Sequence, residues 1–416
     1  MKNIMISLLL SMTLNAYSQQ TLTLDECQKL LSINYPLIQQ ISLLEKQNES
    51  ALEAIQAEKL PRLFLEGFAT YQSDVIEIPI PDSGVEPPNK DQYRASFTLN
   101  QLIYGGGLID ANADLKTAGL KKQQKQLEVS MYQLKKEVNR LYFSILLIIE
   151  KNKLLEAKRN QIVSKLAELK SGIKNGVILP SSDKVLEAEL LKINQQFVET
   201  EANKKILVNT LSSLIGRELG NQVNFQLPEI PYNIDNQINR PELELFALQK
   251  EEINSSETIL SKQNSPQLFG FATGGYGNPG LDVLDNSFQA FYITGVKLSW
   301  NVYDWNANKK KREALAINKD IVDNEAQIFK LNTSIELDRY LTDIAKIETF
   351  IRDDQQIIDL QKEVLMSTES QLRNGVITSS AYIIDLTNLY EAENMLNTHK
   401  IELLLVKANY KTTKGN

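Results

Sequence analysis

Arg94, Ser96, Thr98 and Asn100 occupy every second position of one segment, and Tyr93, Ala95, Phe97 and Leu99 fill the positions between them. At that period a β-strand carries one face that hydrogen-bonds and solvates ions and another suited to an apolar medium. Lys297, Ser299 and Asn301 repeat the polar side in a second segment, opposite Phe288, Ala290, Tyr292, Val296, Leu298 and Trp300. Groups for catalysis are scarce. The one histidine, His399, stands in the polar run Asn397-Thr398-His399-Lys400 and reads as a solvated helix-surface side chain. A single cysteine, Cys27, removes structural zinc and any disulfide framework within the chain. No nucleophile–base pair or metal constellation is visible, so no enzyme and no cofactor is expected. Gly105-Gly106-Gly107 and the glycines between Gly274 and Gly280 lack the Lys-Ser/Thr that a phosphate-binding loop needs. A net charge of −7 argues against nucleic acid as a partner.

The segments that hold these strands are duplicated. Tyr93–Tyr104 has a counterpart in Tyr292–Tyr303, and Asn175-Gly176-Val177-Ile178 returns as Asn374-Gly375-Val376-Ile377, each at an offset of 199 residues. Between strand and turn lies an unbroken stride of seven: Leu120, Leu127, Leu134, Leu141, Ile148, Leu155, Ile162 and Leu169. The second half has Leu337, Ile344, Ile351, Ile358, Leu365 and Leu372, and its last helix has Tyr382, Leu389, Leu396, Leu403 and Tyr410. Such a stride belongs to helices that coil around partner helices. A helix from Gly107 to Asn175 would run about 100 Å at 1.5 Å per residue.

Residues 1–18 read as a signal peptide: Lys2, the apolar stretch Ile4 to Leu14, and a small-x-small site at Ala16-Tyr17-Ser18. Cys27 lies too far on for a lipoprotein anchor, and no later window is apolar enough for a membrane-spanning helix. A first repeat is expected over 19–215. Thr23 and Glu26 form a capping box that opens a helix to about Lys59, with a bend at Pro36. A strand follows over Leu63 to Tyr71, then a Pro-rich loop over Ser73 to Gln92, the alternating strand, the heptad helix, and a return helix that stops near Gly216. Residues 216–240 read as a connector and 241–416 as the second repeat. There Gly270-Phe271-Ala272-Thr273 echoes Gly67-Phe68-Ala69-Thr70, and Gly274 to Asn286 is expected to be a loop. The charged run Lys309-Lys310-Lys311-Arg312 reads as solvated surface.

Four strands with one apolar face cannot close a barrel with an interior, and an open sheet in lipid leaves backbone groups unpaired. Several chains must therefore pool their strands. With the apolar faces outward, Arg94, Ser96, Thr98, Asn100, Lys297, Ser299 and Asn301 would line a wet lumen, and Tyr93, Tyr104, Trp300 and Tyr303 would form interface girdles. The rivals are a periplasmic or secreted coiled-coil structural or adaptor protein, and a secreted enzyme. The amphipathic strands and the two hairpins count against the first, and the lack of a nucleophile–base or metal constellation against the second.

The chain resembles the TolC-like outer-membrane efflux proteins. The resemblance is carried by Leu22-Thr23-Leu24-Asp25-Glu26, Asn34-Tyr35-Pro36, Gln101-Leu102-Ile103-Tyr104-Gly105-Gly106-Gly107 and the two turn segments, in duplicated order. It implies a mainly α fold with membrane β: a homotrimer whose 12-stranded barrel sits in the Gram-negative outer membrane and continues into a periplasmic helical barrel. It implies a passive exit duct, served by a periplasmic adaptor and an inner-membrane pump of either the resistance-nodulation-division (RND) or the ABC type. It places adaptor docking at the helix-hairpin tips, here Asn175, Gly176, Val177 and Ile178 with Asn374, Gly375, Val376, Ile377 and Thr378. The family also carries acidic rings just inside the tip. Asp183, seven residues past Gly176, and Asp385, ten past Gly375, are the candidates here, and Ala381 stands where an acid is common. Each acid falls one residue late, and one residue turns a helical side chain by about 100°. A pore acid and a helix-surface acid both remain open for Asp385.

Overall fold

A threonine followed three residues later by a glutamate starts the first helix. The Glu26 amide donates to Thr23 Oγ1 at 3.2 Å, while the Glu26 carboxylate takes Arg217 Nη1 at 2.7 Å. In this computed structural model residues 21–76, 87–175, 181–220, 223–231 and 237–415 are described. The expected signal peptide, part of the Pro-rich loop, and Gly176, Val177 and Ile178 lie outside them. Pro36 divides the first helix rather than bending it: α1 spans Leu24–Asn34 and α2 Leu37–Gln56. The other elements are β1 (Thr21–Leu22), β2 (Arg62–Tyr71), β3 (Asp91–Tyr104), α3 (Leu108–Lys174), α4 (Ser182–Ile215), β4 (Asn224–Phe225), α5 (Pro241–Gln263), β5 (Gln267–Asn278), β6 (Gln289–Ser299), α6 (Ala307–Arg373) and α7 (Ser379–Lys414). Helices α3 and α6 have 67 residues each, and both ends of one fall 199 residues before those of the other.

The described chain forms two compact units, each built from both halves of the sequence. One takes the chain up to Ile38, Leu127–Pro241 and everything from Ile328 onward; the other takes Gln39–Gln126 and Glu242–Gln327.

The first unit is helical. Leu24, Cys27 and Leu31, spaced to share one face of α1, join Val138, Leu141, Tyr142 and Ile145 of α3 and Leu211 and Ile215 of α4 in one core. The Tyr142 hydroxyl lies 2.8 Å from the Leu22 carbonyl and 2.6 Å from the Gln226 carbonyl, pinning the short parallel pair β1–β4. A second core takes the heptad residues Leu155, Ile162 and Leu169 of α3, Ile358, Leu365 and Leu372 of α6, and Tyr382, Leu389 and Leu396 of α7, with Leu186 and Ile193 of α4. The stride of seven is therefore a buried seam. Toward the start of α3 it loosens, and Leu120, Leu127 and Leu134 are half-buried.

The second unit holds an antiparallel sheet of order β2-β3-β5-β6. Leu63 pairs with Leu99 in one hairpin and Leu268 with Leu298 in the other. By this register Gly67 corresponds to Ala272, so the echo of Gly67-Phe68-Ala69-Thr70 in Gly270-Phe271-Ala272-Thr273 is two residues out of step with the ladder. The expected loop from Gly274 is also corrected, because β5 continues to Asn278. Its glycines mark close approach rather than a turn: a Cβ on Gly275 would lie 2.5 Å from Cζ of Phe291, the residue directly opposite.

Candidate functional site

Register assigns the two faces of the sheet. Leu63 and Leu65 of β2, Tyr93, Phe97 and Leu99 of β3, Leu268 of β5, and Tyr292, Val296 and Leu298 of β6 fall on one face. Most of these side chains are exposed: Leu65 by 68%, Phe97 by 55% and Val296 by 70%. Aromatic residues stand at both ends. Tyr71, Tyr93, Tyr276 and Phe288 are exposed at one, with Tyr276 stacked on Phe288 at 5.6 Å, and Tyr104, Trp300, Tyr303 and Trp305 at the other. From Tyr93 to Tyr104 the strand climbs about 36 Å at ~3.3 Å per residue. Tilted by ~40°, that becomes about 28 Å, close to the ~25 Å apolar band of an outer-membrane barrel.

The other face holds the expected polar residues. Ser96 is buried, Thr98 and Asn100 are half-buried, and the Thr98 and Thr273 hydroxyls hydrogen-bond at 3.1 Å. The Arg94 guanidinium donates to the Gly280 carbonyl at 3.3 Å and sits over the Phe291 ring. Lys297 pairs in register with Phe269 and Ser299 with Gln267, while Asn301 lies beyond the end of β6 and is exposed. Sequence reasoning missed the aromatic share of this face: Phe64, Phe68, Phe269, Phe271 and Phe291 lie on it as well. The available signal was a glycine opposite a phenylalanine, Gly275 across from Phe291 and Gly295 across from Phe271.

In the first unit, the turn from α6 to α7 is fixed by its own backbone. Gly375, at φ +71°, donates to the Leu372 carbonyl at 3.1 Å, and Val376 reaches back to the Gln371 carbonyl at 2.9 Å. Three residues on, the Thr378 side chain accepts from the Ala381 amide at 3.3 Å and opens α7. Between these caps Val376 is 71% exposed, whereas Ile377 packs into the second core. Asn374 holds the Ser370 carbonyl at 2.9 Å, and Asn175 at the end of α3 donates its amide to the Ser171 carbonyl at 3.1 Å.

Residues 28–217 match the outer membrane efflux protein family. The fold of the whole chain is similar to that of the outer membrane protein VceC from Vibrio cholerae (TM-score 0.67, 13% identity, 94% of this chain and 96% of that one). The Campylobacter jejuni CmeC outer membrane channel is similar as well (TM-score 0.66, 16% identity, 94% and 85%). So is the open state of the Neisseria gonorrhoeae MtrE outer membrane channel (TM-score 0.64, 14% identity, 94% and 89%). No curated protein matches the chain in sequence.

At the start of α4 and within α7 the two candidate acids differ. Asp183 lies in the first turn of α4, its carboxylate 3.6 Å from Lys184 Nζ. Asp385 accepts the Thr368 hydroxyl at 2.6 Å across the α6–α7 hairpin. Deeper in the helices, Lys158 is buried with Nζ 2.8 Å from Glu189 and 3.3 Å from Thr387 Oγ1. Burial raises the Glu189 pKa, but the bond and charge of Lys158 outweigh it and hold the carboxyl below its usual value. Lys165, also buried, bonds Glu168 at 2.8 Å and lies 3.8 Å from Glu369. Beside it, burial pushes the Tyr382 phenol up to about 12.

His399 is not the solvated side chain that its polar neighbours suggested. Its Nδ1 lies 2.6 Å from Asp354 on α6, its ring is against Phe350, and its side chain is 15% exposed. Position on the helix, not the character of adjacent residues, decides what a side chain meets. The basic run is likewise partly engaged, since Arg312 Nη2 bonds Glu257 at 3.1 Å. Among the described residues, no group of three or more His, Cys, Asp and Glu is placed to hold a metal ion, and no helix is long and apolar enough to cross a membrane.

Proposed function

We propose that three copies of this chain assemble into an exit duct in the Gram-negative outer membrane, each contributing its four-stranded sheet to a 12-stranded barrel. The observation that carries this is the exposed apolar face of an open sheet, banded by aromatic residues at both ends and backed by a polar face. A protein that stayed in water would hold such a face out to solvent at a large hydrophobic cost. In a closed barrel the same face meets lipid, and the free edges of β2 and β6 pair with neighbouring copies. This disfavours a secreted coiled coil, whose helices would explain only the first unit.

The duct joins two repeats, 19–215 and 241–416, through the connector 216–240, after a signal peptide over 1–18. It conducts passively and is not an enzyme. The hairpin tips, Asn175–Ile178 and Asn374–Thr378, receive a periplasmic adaptor, and through it an RND or ABC pump of the inner membrane. Arg94, Ser96, Thr98, Asn100, Lys297, Ser299 and Asn301 face the water-filled lumen, and Asp183 and Asp385 stand near the gate. Native mass of the detergent-extracted protein and its conductance in planar bilayers test the reading. A detergent-requiring trimer that passes current is the expected result. A water-soluble monomer overturns it.

A further inference from the structure

The polar face of the sheet carries a cleft of about 670 Å³ near its helix-proximal end. Arg62 and Lys297 line it together with Phe64, Phe269 and Phe271. These five side chains come from three strands yet share one face by register: Arg62 lies opposite Asn100, Asn100 opposite Phe271, and Phe269 opposite Lys297. Three phenyl rings on the side that should meet water are costly unless something covers them. Phe271 is held in place by its partner, since a Cβ on Gly295 would lie 3.0 Å from Cζ of that ring. Neither Arg62 nor Lys297 forms an ion pair or hydrogen bond among the described residues, although most other basic side chains in this unit do. Glu58 is the one acid on the rim, so cations exceed anions there.

We propose that this cleft is a binding subsite for amphipathic organic anions, compounds with a flat apolar body and a carboxylate or sulfonate. The aromatic floor buries the body, and Arg62 and Lys297 receive the anionic group through charge-assisted hydrogen bonds. The proposal rests on the exit-duct reading and adds the class of solute that pauses in the lumen. A strip of phenylalanines bordered by unneutralised cations retains such solutes longer than neutral ones, because apolar contact and charge act on the same molecule.

The test uses the assembled channel in planar bilayers with 8-anilino-1-naphthalenesulfonate, and its neutral analogue N-phenyl-1-naphthylamine as control. The sulfonate should reduce the current reversibly, at concentrations where the neutral compound does little. Arg62→Gln with Lys297→Gln should weaken that block by about tenfold, as expected for the loss of charge-assisted bonds. Phe269→Ser should weaken it for both compounds. A channel that conducts normally and is not blocked, or is blocked equally after both charges are removed, overturns the subsite and leaves the duct intact. A protein that passes no current overturns the duct, and the subsite with it.

Discussion

Gly216 sits so close to Asn34 that a Cβ on the glycine would lie 2.6 Å from the Asn34 Cβ, and the Asn34 side-chain amide donates to the neighbouring Ile215 carbonyl at 3.0 Å. The end of α4 is thus capped by the chain that leaves α1, just before Tyr35-Pro36. The same arrangement closes α7. There the Asn239 amide donates to the Lys414 carbonyl at 2.8 Å, two residues before Pro241, and a Cβ on Gly415 would lie 2.4 Å from the Asn239 carbonyl carbon. Both glycines adopt positive φ, +61° and +106°. In each case the glycine that ends the helix packs against an asparagine that stands two residues before a proline.

Gly216→Ala and Gly415→Ala should both destabilise the protein, by about 1–3 kcal/mol from backbone strain and clash. Gly415→Ala should be the worse, because what it meets is backbone, which cannot swing aside. Thermal unfolding of the detergent-solubilised protein by circular dichroism gives the order. Equal and negligible shifts would remove the capping role.

The buried pair Lys158–Glu189 should dominate the stability of the helical unit near its tip. Their side chains are 5% and 12% exposed, so Lys158→Ala leaves the Glu189 carboxylate with only the exposed Lys192, 3.4 Å away, and should cost about 1–3 kcal/mol. The pH dependence has a definite sign. The folded Glu189 pKa is lowered from 4.5, so its stabilising contribution is present above pH 4.5 and is lost as pH falls through the lowered value. The stability gap between the wild type and Glu189→Gln should shrink on acidification below that point. A gap that widens instead would contradict the pairing.

Much of this fold was legible because its signals are periodic. Leu155, Ile162 and Leu169 announce a seam by spacing alone, and burial follows from it. Tyr93 to Asn100 alternate so regularly that both faces of β3 can be assigned without a structure. What stayed hidden depends on partners distant in sequence. Phe269 and Phe271 alternate with glycine and alanine, and only the strand pairing places them on the polar face with Lys297. His399 finds Asp354 forty-five residues away on another helix. Asp385 needed the Thr368 contact to be seen as a hairpin bond, which no spacing rule contains.

Cys27 should resist thiol reagents in the folded protein. It is fully buried, and desolvation pushes its thiol up to about 12, so little thiolate exists at neutral pH. Maleimide labelling should be negligible until denaturant is added and then stoichiometric. Rapid labelling of the native protein would show that α1 opens locally. The inertness of Cys27 also lets a cysteine placed at Val376 report adaptor contact without interference.

That tip position should matter for assembly rather than folding. Val376 is exposed between two self-contained caps, so Val376→Asp leaves the turn's own bonds in place while setting a charge in the proposed docking surface. Adaptor binding should fall by about tenfold or more, as at a central apolar contact. The protein's melting temperature should hardly move. Cross-linking to the cognate adaptor measures the first and calorimetry the second. Unchanged binding would move the docking surface elsewhere.

The two faces of β3 make the sharpest contrast, since adjacent residues should meet lipid and water. Leu99 lies midway between Tyr93 and Tyr104 on the apolar face, and Asn100 follows it on the polar face. Leu99→Arg places a cation near the bilayer midplane and should cost about 2–4 kcal/mol. Asn100→Arg points the same side chain into the lumen and should cost little, while shifting conductance toward anions. Unfolding of the reconstituted protein in urea compares the two, and single-channel reversal potentials follow the second. If both arginines were tolerated equally, the apolar face would not be in lipid, and the barrel would have to be replaced by an assembly that buries it against protein.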